Sequence, residues 1–482
     1  MSGQNATARV QSASRRRFLG TAAGVALGAL TGWGTTSGAA AAVARSPTVY
    51  ATTFDGRLHA VDAATGEERW ESVGLETPPT VDDGTVYLSG ALAVDAATGD
   101  REWVAQEATG GDSSVVGDTL YAGGQDGLAA FDRTTGERRW SFTAPADAVN
   151  GAPMVVDGLV IAGSRDGRLY AVTADGGESV WTYAGAQIRI DSSPTVVDGT
   201  VYVTSRDALH AVDAATGKRE WVFDDVTVSR SSPTVHDGTV YVGTTAGELQ
   251  AIDAATGERR WQFDEPRPRP MFSAPTVVDG TVYVGCHDRS LYAVDAETGA
   301  REWAFTEPSE GVNSSPTVYD GTVYVGCDDE TLYAVDAETG QREWAFETAD
   351  LVNGSPTVVA DPESGHSVGS RVWLGTLGHH DEWRHADQKI GDGEPTTTKE
   401  TTAEPSPSTA TPSADATTPG SAPTSSPVTS PASRTATPAG DDADSEATTS
   451  GDSVPGFAAP TALAGLAGAG LLAWRRTEDD AE

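Results

Sequence analysis

Ala60-Val61-Asp62-Ala63-Ala64-Thr65-Gly66-Glu67-Glu68-Arg69-Trp70 is the first of eight copies of one cassette, and seven of the eight keep the pattern A-x-D-x-x-T-G-x-x-x-W. The closing tryptophans fall at Trp70, Trp103, Trp140, Trp181, Trp221, Trp261, Trp303 and Trp344. A spacing of roughly 40 residues is that of a propeller blade, a unit that cannot bury its own apolar face and must stack on its neighbours.

Working outward from the cassette, each copy reads as four short strands. In the sixth, Pro233-Thr234-Val235-His236 is strand A, and Asp237-Gly238 signals a two-residue hairpin. Thr239-Val240-Tyr241-Val242 is strand B, with β-branched and aromatic residues suited to a pleated, half-buried surface. A turn at Ala246-Gly247 leads to strand C, Glu248 to Ile252. Asp253 to Gly257 then turns the chain into strand D, which ends at Trp261. An Asp there can accept hydrogen bonds from the backbone two residues on, and Gly supplies positive φ. The expected fold is all-β, a propeller of eight four-stranded blades with the tryptophans packed between blades.

The cassette resembles the tryptophan-docking repeat of quinoprotein alcohol dehydrogenases and of the bacterial outer-membrane assembly lipoprotein, both β-propellers. The resemblance covers about residues 46–377 and implies the fold. Function has to come from sites, since the repeat is a packing device. The fourth copy departs, with Thr173 in place of the Asp and Gly176 in place of the Thr, and is expected to be the loosest blade.

Closure of the ring is also legible. Thr48 to Thr52 aligns with strand B, so the first blade lacks its own strand A, and Ser355 to Val359 supplies a spare one after the last tryptophan. Pairing the two would remove open sheet edges. Arg371 to Gly375 also reads as a strand B, so residues 47–53 and 371–377 compete for the closing position.

Both ends read as addresses. Residues 1–44 form a twin-arginine export signal with the pair Arg15-Arg16, an apolar stretch and a small-residue run from Ala39 to Ala42. The propeller occupies 45–378, and 379–393 is a polar junction containing His379-His380-Asp381-Glu382-Trp383-Arg384-His385, expected to be an exposed polar segment. Residues 394–453, rich in Thr, Ser, Pro and Ala, cannot bury a core and read as a disordered stalk. In 454–482, Pro455-Gly456-Phe457 precedes an apolar run and Arg475-Arg476, an ending that resembles an archaeal sorting signal exchanged for a lipid. The alternative is a membrane helix, short for a span of ~20 residues. Either way the protein is expected at the outer face of the cell membrane, anchored at its C-terminus, and monomeric.

The formal charge of −38, with only three lysines, Lys218, Lys389 and Lys399, argues against nucleic acid or anionic membrane as a partner. Such a surface resembles that of proteins from salt-loving archaea, where concentrated salt screens self-repulsion.

The repeat supplies an internal control: positions alike in all blades serve packing, and positions that differ are free to meet a ligand. Just before strand A stand Glu76, Gly110, Asn150, Asp191, Arg230, Phe272, Asn313 and Asn353. The B–C turns add Asp126, Arg165, Asp166, Arg206, His287, Asp288, Asp328 and Asp329. Asn150, Asp191, Arg230, Asn313, Asn353, Arg165, Arg206 and His287 are therefore the candidate ligand-binding ring at the channel mouth, with Arg230 able to hold a carboxylate or phosphate bidentately.

Cys286 and Cys327 hold the same place in successive blades. They read as small semi-buried thiols, with a disulfide or a site shared with His287 as the alternatives. Asn313-Ser314-Ser315 and Asn353-Gly354-Ser355 match a glycosylation pattern, but each begins a strand.

The leading expectation is a non-enzymatic binding or scaffold module, with an unknown cell-surface protein or a small polar ligand as partner. No cofactor, metal or catalytic residue is assigned. The family resemblance implies two alternatives, a dehydrogenase using PQQ with Ca²⁺ and an envelope protein assembly factor. Against the first, the chain has no adjacent Cys-Cys pair, and its blades lack the insertions that wall in such active sites.

Overall fold

The structure is a computed structural model that describes residues 47–90, 92–105, 110–186, 188–224, 231–265, 268–360 and 362, and the backbone of 367–368. The chain divides into two units, Met1–Arg45 and Ser46–Glu482, and all described residues belong to the second. They form eight antiparallel sheets, seven four-stranded and one five-stranded, arranged as an eight-bladed propeller without helices among the described residues. Arg15, Arg16, Arg230, 371–377, the 379–385 cluster, the stalk and Pro455-Gly456-Phe457 lie outside the described residues.

Blade six shows how the sequence builds each sheet: strand A is Thr234–His236, B Thr239–Gly243, C Leu249–Asp253 and D Arg259–Phe263. Asp237 and Gly238 both have positive φ, 46° and 67°, as a type I′ hairpin requires. Strands B and C are buried, while D presents its charged residues outward. Strand D runs past Trp261 to Phe263, so the tryptophan lies within the strand, opposite Ala251 and beside a bulge. All eight blades repeat that bulge after the cassette alanine.

The cassette turn works as the residue types demand. Asp253 Oδ1 accepts hydrogen bonds from the Ala255 and Thr256 amides at 3.1 and 2.9 Å. The turn then closes on Gly257 at φ 73°, where a Cβ would lie 2.7 Å from the Trp221 ring of the preceding blade. That close approach explains the invariant glycine. The Trp221 indole donates to Ala254 O at 3.0 Å, and Tyr202 Oη donates to the same carbonyl at 3.2 Å. Each turn thus receives the tryptophan of the blade before it.

The docking direction decides which tryptophan the altered turn of blade four holds. That turn, Thr173 to Gly177, receives Trp140 from blade three, with Trp140 Nε1 2.8 Å from Ala174 O. Trp181 docks on the intact turn of blade five, 3.0 Å from Ala214 O. What Trp181 lacks is the tyrosine of strand B, because Ile161 stands in that register position.

A second belt runs around the axis, where strand A of one blade bonds to the start of the next. Thr195, Thr234, Thr276, Thr317 and Thr357 donate Oγ1 to the carbonyls of Pro233, Pro275, Pro316, Pro356 and Pro79 at 2.6–2.7 Å. Blade four has buried Met154 at that position instead. Gly110 belongs to strand A of blade three, Gly110–Val116, rather than to the preceding loop.

The ring closes as the spare strand implies. Thr357–Val359 fills strand A of blade one and pairs with Thr48 to Tyr50. Across the same seam, the Trp344 indole donates to Ala63 O at 3.0 Å. Ser367–Val368 pairs along the axis-facing edge of the closing strand, making this the five-stranded sheet.

Candidate functional site

In each blade the segment entering strand A and the B–C turn lie at the same end of the sheet. The side chains of these loops meet in a repeating slot formed by the B–C turn of one blade, the residue entering the next, and the B–C turn of that next blade.

In the slot between blades four and five, Asp191 stands among three arginines. Arg189 Nε lies 2.8 Å and Arg165 Nε 3.4 Å from its carboxylate, and Arg206 Nε 3.9 Å. The Asp191 side chain is nearly buried while the arginines remain partly open. Burial pulls the Arg189 guanidinium below its usual pKa range; Asp191 opposes this, and Arg206 and Arg165 add repulsion. Cationic charge outweighs Asp191 here, in a protein of formal charge −38.

The slot between blades seven and eight has the same geometry and other chemistry. His287 Nδ1 lies 3.2 Å from Asn313 Oδ1, and Asn313 Nδ2 donates to Asp328 Oδ2 at 2.5 Å. Burial raises the Asp328 pKa, with His287 pulling the other way. Glu76, entering blade two, is likewise raised by burial and by the charge of Asp350.

The candidate residues thus come together in two clusters. Arg165, Asp191 and Arg206 form one, and His287 and Asn313 the other. The described contacts do not join them at one point. Asn150 uses its backbone carbonyl to bond the Asp112 amide at 3.0 Å. Asn353 Oδ1 is buried without a hydrogen-bond partner. Ser315 is buried and bonded to Ala274, which leaves the Asn313-Ser314-Ser315 pattern structural.

Three of the eight variable B–C turn residues prove to be structural too. Asp166, Asp288 and Asp329 accept the hydroxyls of Tyr170, Tyr292 and Tyr333 in their own blades at 2.7, 2.7 and 2.9 Å. Among the described residues Arg165, Arg206, His287 and Asp328, each the first of its turn, join a slot. Arg189 was the residue missed by sequence; its signal is a basic residue two positions before Asp191 in a loop whose length varies among copies.

Both cysteines are free and buried. Cys286 points its thiol at Arg269 O, 3.5 Å away, and Cys327 at Gly311 O, 3.2 Å away. Burial pushes the Cys286 thiol up to about 12 and the Cys327 thiol higher still. They are packing residues, fully rather than partly buried.

A ring of eight blades, each docked by its cassette tryptophan on the turn of the next, is the architecture of a PQQ-like repeat propeller. The family model described as outer membrane protein assembly factor BamB matches residues 15–143, 93–222, 125–345 and 269–376, and the chain belongs to this family. No curated protein matches the sequence. Among solved structures, the chain is similar to the computationally designed Ika8 protein, with 17% identity over 64% of this chain and 92% of that one, TM-score 0.52. It also matches BamB from Moraxella catarrhalis, at 22% identity over 57% and 87% of the two chains, TM-score 0.47. Quinohemoprotein alcohol dehydrogenase from Comamonas testosteroni matches at 17% identity over 59% and 70%, TM-score 0.49.

Proposed function

We propose that this protein is exported, held at the outer face of the cell membrane by its C-terminal segment, and serves as a non-enzymatic binding or scaffold module that presents the loop end of its propeller. The observation that carries this reading is the split between repeated and variable positions. The cassette is nearly identical in every blade, while the first B–C turn residue changes from Arg165 to Arg206, His287 and Asp328. Partly exposed guanidinium groups around Asp191 suit a carboxylate or phosphate of a small ligand or of a partner protein.

The family favours a second reading, a role in assembling envelope proteins. A quinone-dependent dehydrogenase fits the donor set less well. Cys286 and Cys327 lie in separate blades with their thiols turned to backbone carbonyls. Asn313 and Asp328, oxygen donors of the kind Ca²⁺ takes, are committed to each other and to His287.

Calorimetric titration with citrate and with inorganic phosphate, at high ionic strength, tests the binding reading. Wild type is expected to bind at least one of them, and Arg165→Ala with Arg206→Ala to weaken it at least tenfold with little change in Tm. Equal affinity in wild type and variant would place the site elsewhere.

A further inference from the structure

We infer that blade one carries a divalent-cation site formed by His59, Glu68 and Glu71. The inference is independent of the binding reading above, because it concerns strands C and D of one blade, Arg57–Asp62 and Glu68–Val73.

The internal control of the repeat points to these three residues. The position before the cassette alanine holds Leu92, Ala129, Tyr170, His210, Gln250, Tyr292 or Tyr333 in the other blades, and His59 in blade one. Two residues before the tryptophan, six copies have arginine and blade four has Ser179, whereas blade one has Glu68. Directly after the tryptophan the other seven have neutral residues, and blade one alone has Glu71. Three departures, each rare or unique in the ring, fall in the same blade and bring their donor atoms within 4.8 Å of one another.

The local structure explains the convergence. His59 and Glu71 are directly opposed across strands C and D, and the bulge after Ala60 sets Glu68 opposite Val61. His59 is buried to 5% exposure, with its ring 5.5 Å from Phe346 in an edge-on contact, so the imidazole has a fixed aim. His59 Nδ1 lies 2.8 Å from Glu68 Oε1, and both glutamates are open to solvent. An ion held at about 2.0–2.2 Å by one imidazole and two carboxylates needs its donors roughly 3 Å apart, and the observed pair is close to that.

Charge favours the same occupant. Glu68 and Glu71 bring two negative charges, Asp55 a third nearby, and Arg57 is the cation that bonds Glu71. A divalent ion would neutralise the two ligating carboxylates and release Arg57 toward Asp55. Metal binding at Nδ1 needs that nitrogen free of its hydrogen, which a neutral imidazole can carry on Nε2 instead. The donor set of one imidazole and two carboxylates suits zinc or a neighbouring first-row ion. Water fills the open positions, and the ion would clip the outermost strand of the closing blade to strand C.

The test titrates chelator-stripped full-length protein with Zn²⁺ in concentrated KCl, which suppresses loose binding to the acidic surface. One saturable site holding one ion per chain is expected. Glu68→Arg, which restores the residue found in six other copies, should weaken this site at least thirtyfold and leave the metal-free Tm unchanged or higher. His59→Gln, the residue of blade six, should do likewise, whereas Glu302→Gln on blade seven should change nothing. If wild type shows no saturable site, or Glu68→Arg binds Zn²⁺ as tightly as wild type, the proposal fails.

Discussion

His210 is held between two hydroxyls, Tyr183 Oη at 3.0 Å from Nδ1 and Ser205 Oγ at 2.8 Å from Nε2, in a buried position. Burial lowers its pKa from 6.5 to about 4, outweighing the opposing charge of Asp207. Between those values the unfolded chain binds a proton that the folded chain refuses. The contribution of this residue is therefore complete above pH 6.5 and is lost as pH falls toward 4, by up to about 3 kcal/mol. Replacing it with the glutamine that blade six uses, His210→Gln, should cost stability at pH 7.5 and much less at pH 4.5. Denaturant midpoints at the two pH values check this; a difference independent of pH would mean the imidazole is not held neutral.

At the scale of the element, the cassette turn is the most informative unit, because one copy lets its parts be separated. Where the intact turns use an Asp carboxylate to accept two amides, blade four has Thr173, whose hydroxyl takes the Glu178 amide at 3.1 Å. Gly177 keeps its positive φ of 67° and the Trp140 ring still packs against it. The glycine and the tryptophan preserve the docking although the Asp and Thr are gone. A Cβ at Gly176 would meet only Thr173 Oγ1 at 3.6 Å and Glu178 Cγ at 3.8 Å, which is ordinary contact. Thr173→Asp with Gly176→Thr should therefore rebuild the turn and raise stability by about 1 kcal/mol, seen as a Tm a few degrees higher. A lower Tm would show that blade four is shaped for its present turn.

The same element shows what the sequence could reveal. Strands A to D, the Asp-Gly hairpins and the closing strand Thr357–Val359 were legible, because each depends on contacts inside one repeat or its immediate neighbour. The direction of docking was not. Nothing in a cassette says whether its tryptophan serves its own turn or the next, and the structure places Trp181 on blade five. The site was half legible for a related reason. Variation marked both Arg165 and Asp166, yet Asp166 is occupied by Tyr170 within its blade, and Arg189 lies in a loop too irregular to align.

At the scale of the whole molecule, the seven sheets of blades two to eight are each continuous in sequence, and blade one is assembled from both ends of the propeller. The segments beyond it carry the proposed address. If Pro455-Gly456-Phe457 is a sorting signal, intact-mass measurement of the native protein should find the tail beyond it missing and lipid in its place. A full-length C-terminus on mature material would refute that processing. Concentrated salt should also favour the fold, since 70 acidic side chains against 32 basic ones repel one another unless screened.

Closure by Thr357–Val359 has a mechanical consequence. Tension drawn along the chain beyond residue 368 enters the ring at the one sheet whose inner strand has no hairpin link to its neighbour, where three residue pairs join it to Thr48 to Tyr50. If the C-terminal segment is a tether, a pull on it would unzip the propeller at that seam first, freeing Thr357–Val359 while the other seven sheets stay whole. Because those sheets hold their own hairpins, the seam would re-form once the tension ends, and the ring would behave as a buckle.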